Sequence, residues 1–254
     1  MERRKEKLKL INISKTYIEK NGKTFMAIKD VSIDVYDNEF LVLLGPGLCG
    51  KTVLLNIIAG LEEATGGSVL LDGKEINGPN RNISMVFQKL GLMPWKTVME
   101  NVEIGLKYAG IPLAERRKTA QRFIDLVGLT GFENAYPRQL SGGMKQRVGI
   151  ARAYAANTDV LLLDEPFGQL DAQTRYSMQE EILKTWEKEK RTIIFVTNNI
   201  EEALYLGDRI VLLKKCPAEV KEIYEITIPR PRNLMAQEFL DLRKKISYNM
   251  DLPL

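Results

Sequence analysis

Residues 45–52 form a glycine-rich segment, G-P-G-L-C-G-K-T, between two apolar segments of different character. Before it runs E-F-L-V-L-L, a short apolar stretch typical of a buried strand, and after it runs V-L-L-N-I-I-A, which has helical periodicity. A strand that enters a tight glycine-rich turn and leaves it as a helix is a unit of an α/β fold. This feature constrains the fold more than any other in the chain.

The segment has the chemistry of an anion-binding loop. Its backbone N–H groups and the N-terminus of the following helix would point at a bound phosphate. In a loop of this pattern, Lys51 would reach the β and γ phosphates of a nucleotide, and the Thr52 hydroxyl would ligate Mg²⁺. A chance glycine-rich turn is the alternative, and the strand before the segment and the helix after it argue against that alternative.

The N-terminal part of the chain has the pattern of an antiparallel sheet. Apolar and β-branched residues predict strands at residues 8–14, 26–36 and 40–44. Asn21-Gly22 and Asp72-Gly73 are typical two-residue hairpin turns, and residues 68–71 lead into the second of them.

The pattern changes after Phe87. Residues 98–155 are mainly helical in periodicity, with Pro112 near the start of one helix and Gly142-Gly143 before another. Near-continuous apolar runs, typical of parallel strands covered on both faces, return later in the chain. These strands are predicted at residues 160–163, 192–196 and 210–213. The sequence therefore predicts an α/β core with a helical insertion.

Length, cysteine content and charge narrow the class of protein. A chain of 254 residues fits one domain, with or without an inserted subdomain, better than two independent domains. The two cysteines, Cys49 and Cys216, form neither a disulfide framework nor a metal-ligand pattern, which favours a reducing compartment. We find no secretory signal pattern, and no apolar run approaches the roughly 18 residues needed to span a bilayer.

The net charge of +4 comes from basic clusters near both ends of the chain. Basic ends of this kind keep a protein soluble more often than they bind nucleic acid. We therefore predict no nucleic-acid partner.

Two carboxylates follow the predicted strand V-L-L-L, in the segment V-L-L-L-D-E-P-F. Because ligands of α/β proteins bind at the carboxyl edge of the sheet, Asp164 would hold the Mg²⁺ shell and Glu165 would act as general base on the attacking water. Taken alone, such a pair is usually a solvated strand end. Together with the glycine-rich loop, it predicts a nucleoside triphosphate site.

The segment L-S-G-G-M-K-Q-R, residues 140–147, contains a second candidate anion site. Ser141 offers a small hydroxyl, and Gly142 and Gly143 let the backbone approach a ligand closely at a helix N-terminus. By itself the segment is more often a simple helix cap. In a chain that already has one phosphate-binding loop, a second such element indicates a function.

These segments together resemble the nucleotide-binding ATPase subunit of ABC transporters over nearly the whole chain. The resemblance implies an α/β fold with a P-loop NTPase (RecA-like) core, an antiparallel β subdomain and an inserted α-helical subdomain. It implies one nucleotide-binding domain over residues 1–254, with the helical subdomain at 89–157 and a C-terminal extension at 229–254. In that family two copies dimerise head to tail, so that the P-loop of one and the L-S-G-G helix of the other close over each ATP.

The resemblance also assigns roles to individual residues. Tyr17 matches the aromatic residue that stacks on adenine, Gln88 the glutamine that senses the γ-phosphate and Mg²⁺, and Leu170-Asp171 the segment that communicates between the two sites. The implied Mg²⁺ ligands are Thr52, Gln88 and Asp164, and the implied catalytic residues are Glu165, Gln88 and the residue at position 198. The remaining implied ATP-binding residues are Gly45, Pro46, Gly47, Leu48, Cys49, Gly50, Lys51, Val53, Ser141, Gly142 and Gly143.

Three further segments resemble the group that imports nitrate, taurine and aliphatic sulfonates with an extracytoplasmic solute-binding protein. They are L-M-P-W-K-T-V-M-E-N-V, F-G-Q-L-D-A-Q-T-R and I-P-R-P-R. The resemblance implies transmembrane permease subunits, a second ATPase subunit of like or unlike sequence, and a place on the cytoplasmic face of the cell membrane. Leu92, Met93, Pro94 and Trp95 would receive the coupling helix of the permease, or would form ordinary subdomain core.

One departure from the family lies at the end of the strand I-I-F-V-T. There the family has T-H-D, and its histidine contacts the γ-phosphate, whereas this chain has Asn198 followed by Asn199 and contains no histidine. An asparagine NH₂ can donate a hydrogen bond but cannot carry a proton or a positive charge as imidazole can. We expect slower hydrolysis and retained ATP binding.

The glycine-rich loop departs from the family pattern G-P-S-G-S-G-K-S-T as well. Leu48 replaces a glycine, which would cost about 1 to 2 kcal/mol if that position needs a positive φ angle, and Gly47 would recover some of the lost freedom. Val53 removes a hydroxyl near the phosphates, although Thr52 remains.

Three functional hypotheses follow. The first is an ATPase subunit that drives an importer through ATP-dependent dimer closure. The second is a subunit with weakened hydrolysis that binds ATP beside a more active ATPase or acts in regulation. Intact Gln88, Ser141 and Glu165 favour the first, and Asn198, Leu48 and Val53 favour the second. The third, a soluble ATPase of repair or translation, is disfavoured because the chain has neither tandem cassettes nor a long coiled-coil insertion.

Overall fold

The computed structural model describes residues 4–20, 22–88 and 91–250. The strands in chain order are β1 (Glu6–Ile18), β2 (Thr24–Tyr36), β3 (Phe40–Leu44), β4 (Gly66–Leu71), β5 (Lys74–Glu75), β6 (Ile83–Val86), β7 (Val160–Asp164), β8 (Thr192–Thr197), β9 (Arg209–Leu213) and β10 (Val220–Glu225). The helices are α1 (Lys51–Ile58), α2 (Val98–Val102), α3 (Ile104–Tyr108), α4 (Leu113–Leu126), α5 (Gly142–Ala155), α6 (Ala172–Glu189), α7 (Ile200–Leu206) and α8 (Gln237–Asn249), with a 3₁₀ helix at Pro137–Gln139.

The chain divides into two compact units. The first unit comprises Met1–Asn80 with Thr192–Leu254, and the second comprises Arg81–Arg191. No helix within the described residues has both the length and the apolar character that crossing a membrane requires.

An antiparallel sheet with the strand order β2-β1-β4-β5 forms one part of the first unit. Asp72 and Gly73 join β4 to β5, and both have positive φ angles, 49° and 76°, as a two-residue hairpin turn requires. The predicted antiparallel beginning is confirmed for the strands at 8–14 and 26–36, whereas the strand at 40–44 lies in another sheet and runs parallel to its neighbours. In the other predicted turn, Asn21 lies outside the described residues.

A buried parallel arrangement forms the other part of the first unit. Strand β3 lies between β8 and β9 and runs parallel to both, and every residue of these three strands is buried. Because Leu44 is the register partner of Thr197, the segments that follow β3 and β8 leave the sheet side by side. The glycine-rich loop and Asn198 therefore begin at the same carboxyl edge.

The second unit carries the parallel pair β6 and β7 with the helices α2 to α6. Val86 pairs with Leu163, so the residues that follow β6 and β7 also begin at a common edge. This register brings Gln88 into reach of Glu165, although the two residues are far apart in sequence.

The predicted α/β fold is confirmed, and its differences from the sequence prediction are local. Strands β1 and β2 are longer than predicted, and the helical pattern at residues 98–108 is split into α2 and α3 at Glu103. The sequence reasoning did not predict β10 or α8. The subdomain bounds 89–157 and 229–254 stay predictions, and residues 89, 90 and 251–254 lie outside the described part of the chain.

Candidate functional site

Lys51 is buried beneath the glycine-rich loop, with 3% of its surface exposed. Its ammonium group donates hydrogen bonds to the carbonyl oxygens of Gly45 and Pro46, at 2.9 and 2.8 Å. The same group lies 3.8 Å from the Cys49 sulfur. Burial raises the pKa of the Cys49 thiol, and the nearby Lys51 charge opposes that rise. The loop therefore holds a cation and a neutral thiol at its centre.

The N-terminus of α1 suits a phosphate. No side chain caps it, and its first turn contains no acidic residue, whereas Asn199 and Asp171 cap α7 and α6. Gly50 stands at the N-cap with φ 100°, and a Cβ atom there would lie 2.8 Å from the carbonyl oxygen of Ala27. Helix N-termini carry a partial positive charge and attract anions. The residues present therefore fit a nucleotide phosphate.

Leu48 has a left-handed backbone conformation, which is the condition for backbone strain at this position. Its φ angle is 60°, and 98% of its surface is exposed. Gly47 does not have a left-handed φ angle, and its recovery of some loop freedom stays a prediction. The side chain of Leu48 gains no burial in this chain that would offset the backbone strain.

Replacement of Leu48 by glycine is expected to stabilise the protein by up to about 1.5 kcal/mol. A leucine in this conformation costs about 1 to 2 kcal/mol, and the added flexibility of glycine in the unfolded chain offsets about 0.4 to 1 kcal/mol of the gain. The measurement is the free energy of unfolding in urea. Leu61→Gly is the control, because Leu61 is also exposed but has no positive φ angle. That control should destabilise the protein, and a loss of stability in Leu48→Gly as well would contradict the assignment of strain.

Tyr17 lies near the end of β1 with 37% of its surface exposed. Its hydroxyl donates to the Glu62 carboxylate, and the Lys15 ammonium lies 5.1 Å from the centroid of its ring. Desolvation and Glu62 together raise the pKa of Tyr17 to about 12, so the phenol stays neutral at physiological pH. The ring is thus oriented by two neighbours and partly accessible. Stacking on adenine stays a prediction.

The two adjacent amides after β8 have different structural roles. The Asn199 side chain caps α7 by accepting the N–H groups of Glu201 and Glu202, at 2.8 and 3.2 Å. Asn198 is exposed at the bend between β8 and α7. Thr197 accepts the N–H of Asn199 and donates to Glu202, at 3.0 and 2.7 Å, which fixes the turn around Asn198. Of these two amides, Asn198 is therefore the one available to a ligand at the edge that the glycine-rich loop shares.

The predicted carboxylates stand at the carboxyl end of β7 in the second unit. Asp164 is 1% exposed, and Glu165 is half-buried with a left-handed φ angle of 45°. The Gln88 side-chain amide donates to the Glu165 carboxylate at 3.3 Å. The structure therefore brings Gln88 and Glu165 together, as residues acting on one reaction would require.

Ser141 is the N-cap of α5, where its hydroxyl accepts the N–H of Met144 at 3.2 Å. The prediction that this segment caps a helix is therefore confirmed. The role of Ser141 in binding ATP stays a prediction. Asp171 in turn caps α6, and the N–H of Thr174 lowers the pKa of the Asp171 carboxyl. Leu170 is buried.

Residues 91–97 form a loop that is held from inside by two residues that the sequence reasoning missed. Asn101 is fully buried, and its side chain accepts the N–H of Met93 and donates to the carbonyls of Met93, Lys96 and Thr97. Arg152 donates to the Gly91 carbonyl at 2.9 Å. The loop presents Trp95 with 72% of its surface exposed, so Trp95 is not subdomain core.

Comparison with known proteins decides the family. The family model described as ABC transporter matches residues 28–168, which include the glycine-rich loop, the L-S-G-G segment and both carboxylates. This chain belongs to the ABC transporter family. The family hydrolyses ATP, so the prediction that the chain is an ATP-binding ATPase subunit is confirmed at that level.

Similar proteins extend over almost the whole chain. An ABC transporter ATP-binding protein of Methanocaldococcus jannaschii is 53% identical over 96% of this chain and 91% of the relative. The taurine import ATP-binding protein of Rhizobium johnstonii is 42% identical over 94% of each chain. An aliphatic sulfonates import ATP-binding protein of Bacillus cereus is 40% identical over 91% of this chain and 90% of the relative.

A solved dimeric bacterial ABC transporter cassette has the same fold. It is 35% identical, with a TM-score of 0.80 over 86% of this chain and 98% of that cassette. A second structure of that cassette is a dimeric post-hydrolysis state bound to ADP and Pi, with the same identity and TM-score. The P-loop NTPase fold is therefore confirmed.

Proposed function

We propose that the chain is the ATP-hydrolysing subunit of an ABC importer for a small anion of the nitrate, sulfonate or taurine type. The observation that carries the proposal is the N-terminus of α1, which no side chain caps, with Lys51 buried beneath its loop and Asn198 at the same sheet edge. The names of the relatives from Rhizobium johnstonii and Bacillus cereus support the class of solute.

The ATP-binding roles follow from the chemistry of the loop. Lys51 would exchange its contacts with the Gly45 and Pro46 carbonyls for phosphate oxygens, which are stronger partners for an ammonium group. Residues 45–53 would supply backbone N–H groups, and Tyr17 would stack on adenine. The tight packing at Gly50 explains why a side chain there would disrupt the loop.

Mg²⁺ would be held by Thr52, Gln88 and Asp164. No group of three or more acidic or cysteine side chains that could hold a metal lies within the described residues. Hydroxyl, amide and carboxylate oxygens are nevertheless ligands that Mg²⁺ accepts, and Mg²⁺ usually binds one or two carboxylates together with substrate phosphates. The ion would neutralise phosphate charge when bound. Glu165 would take the proton of the attacking water, with Gln88 orienting its carboxylate.

The partners follow from the same proposal. A second ATPase subunit, of like or unlike sequence, would present its L-S-G-G segment to the ATP of this chain, and the solved dimeric cassette supports such pairing. Exposed Trp95, on a loop fixed by Asn101 and Arg152, supports a contact with transmembrane permease subunits at the cytoplasmic face of the membrane. An extracytoplasmic solute-binding protein would act through the permease.

Asn198 favours a second candidate function, that of a hydrolysis-weakened subunit. Its exposed amide can donate to a γ-phosphate but carries no charge. Removal of one donor to the transition state typically lowers turnover by about 10² to 10³. Because Asn198 keeps a donor, we expect a smaller deficit and measurable turnover.

The test is phosphate release from Mg-ATP by the chain assembled with its membrane partner. Native protein is expected to turn over, and Asn198→His is expected to raise turnover about tenfold, since imidazolium adds charge to the donor. Asn134→His is the control, because it adds a histidine at another exposed position. Negligible native turnover with retained ATP binding would favour the weakened subunit instead. Absence of both hydrolysis and ATP binding would overturn the proposal.

A further inference from the structure

Gln146 is a buried amide on α5 whose two polar atoms both bind backbone of the segment 165–170. Only 2% of its surface is exposed. Its carbonyl oxygen accepts the N–H of Gln169 at 3.1 Å, and its amide nitrogen donates to the carbonyl of Glu165 at 3.4 Å. The partners fix which atom is oxygen and which is nitrogen, because the Gln169 N–H can only donate and the Glu165 carbonyl can only accept.

The first turn of α5 packs against the same segment on the same face of the helix. A Cβ atom at Gly142 would lie 3.3 Å from the Gln169 side-chain oxygen, and one at Gly143 would lie 3.3 Å from a Leu170 methyl group. Residues three and four apart share a helix face, so the two glycines and Gln146 form one contact surface. Ser141 caps this turn, and the close approach of Gly142 and Gly143 packs the L-S-G-G segment against the segment after β7.

Glu165 needs such support because of its own backbone. Its φ angle of 45° is a conformation that non-glycine residues rarely adopt, and it is retained only where the surroundings hold it. Two hydrogen bonds hold its carbonyl, one from the Gly168 N–H at 3.2 Å and one from Gln146. The first is local to the turn, whereas the second comes from another element.

We propose that Gln146 is a positioning residue for ATP hydrolysis, which fixes the backbone of Glu165 and thereby the direction of its carboxylate. Through its two hydrogen bonds, the amide couples the position of the N-terminal turn of α5 to that of the segment 165–170. The inference rests on the proposed function, in which Glu165 is the general base. A purely structural role would lower stability when the amide is lost and would leave the rate of the chemical step unchanged.

Two variants separate these roles. Gln146→Met has a similar volume but makes neither hydrogen bond, and it is expected to lower kcat about tenfold while KM for ATP stays within about twofold. Gln146→Glu, when charged, keeps the acceptor for Gln169 but loses the donor to Glu165. When protonated, it can make both hydrogen bonds. Because burial raises the pKa of a carboxyl group, its kcat relative to native should rise as the pH falls from about 9 to about 6.

The control is Gln179→Met, which removes an equally buried amide from α6 in the same unit and is expected to leave kcat unchanged. Thermal unfolding of every variant reports the purely structural effect. Two results would overturn the positioning role alone, provided that the native protein hydrolyses ATP. One is an unchanged kcat in Gln146→Met, and the other is a ratio of Gln146→Glu kcat to native kcat that does not depend on pH. Native protein that binds ATP without hydrolysing it would overturn the proposed function together with this inference.

Discussion

Replacement of Glu165 by glutamine is expected to reduce ATP hydrolysis by a factor of about 10² to 10⁴, the usual contribution of a general base. Glutamine has the same shape and length, but its neutral amide cannot take a proton from water. The contact with Gln88 can persist, because a glutamine side-chain oxygen still accepts the Gln88 amide hydrogen. ATP binding should therefore remain, and a dimer closed over ATP should accumulate because it no longer turns over.

Single-turnover phosphate release measures the loss of hydrolysis, and light scattering with Mg-ATP measures the dimer. Glu180→Gln is the control, because Glu180 is an exposed carboxylate on α6 of the same unit. It should hydrolyse ATP like the native protein. Native-like hydrolysis by Glu165→Gln would remove Glu165 as the base, and failure to form an ATP-dependent dimer would count against closure of two subunits.

Local sequence patterns were sufficient to predict the parts of the fold that depend on near neighbours. The apolar runs of β3, β7, β8 and β9 are entirely buried, which is why they have no polar alternation. The same apolar runs also predict where the functional motifs lie, because those motifs directly follow the strands. Strand register was not predictable, because the pairing of Leu44 with Thr197 joins residues distant in sequence.

The elements that sequence reasoning missed have weak local signals. Strand β10, V-K-E-I-Y-E, pairs with β9 through charged and apolar residues that read equally well as a solvated loop. The role of Asn199 had a usable signal, because an asparagine followed by glutamate three residues later is typical of a helix N-terminus. The roles of Asn101 and Gln146 had none, since a buried amide is defined by backbone partners in other segments.

The I-P-R-P-R segment, residues 228–232, supports the C-terminal end of α7. Helix α7 ends at Leu206, and its C-cap Gly207 donates to the Ala203 carbonyl, so the carbonyls after Ala203 receive donors from another segment. Arg232 donates to the carbonyls of Leu204, Tyr205 and the C-cap Gly207, and Arg230 donates to that of Leu206. The two arginines thus complete the helix that begins directly after Asn198-Asn199.

Replacement of Arg232 by methionine is expected to destabilise the protein by about 3 kcal/mol. Each buried carbonyl left without a partner costs about 1 to 3 kcal/mol, and the relief from burying a charge offsets part of that loss. Arg232 is 5% exposed, and burial lowers its pKa to about 10, so it remains charged at neutral pH. Because Arg232 stays charged below about pH 9, the loss of unfolding free energy in Arg232→Met should be constant from about pH 6 to about pH 9. The lowered pKa affects stability only in strongly alkaline solution.

Urea unfolding followed by circular dichroism measures this loss. Arg243→Met is the matched control, because Arg243 lies on α8 and reaches Glu201 of the same helix α7 from its exposed side, at 3.2 Å. An exposed ion pair contributes about 0 to 1 kcal/mol, so the control should stay close to native. If the two variants lose the same small amount of stability, the arginine cap does not hold α7. If Arg232→Met alone is destabilised, the turn that carries Asn198 depends on a segment about thirty residues further along the chain.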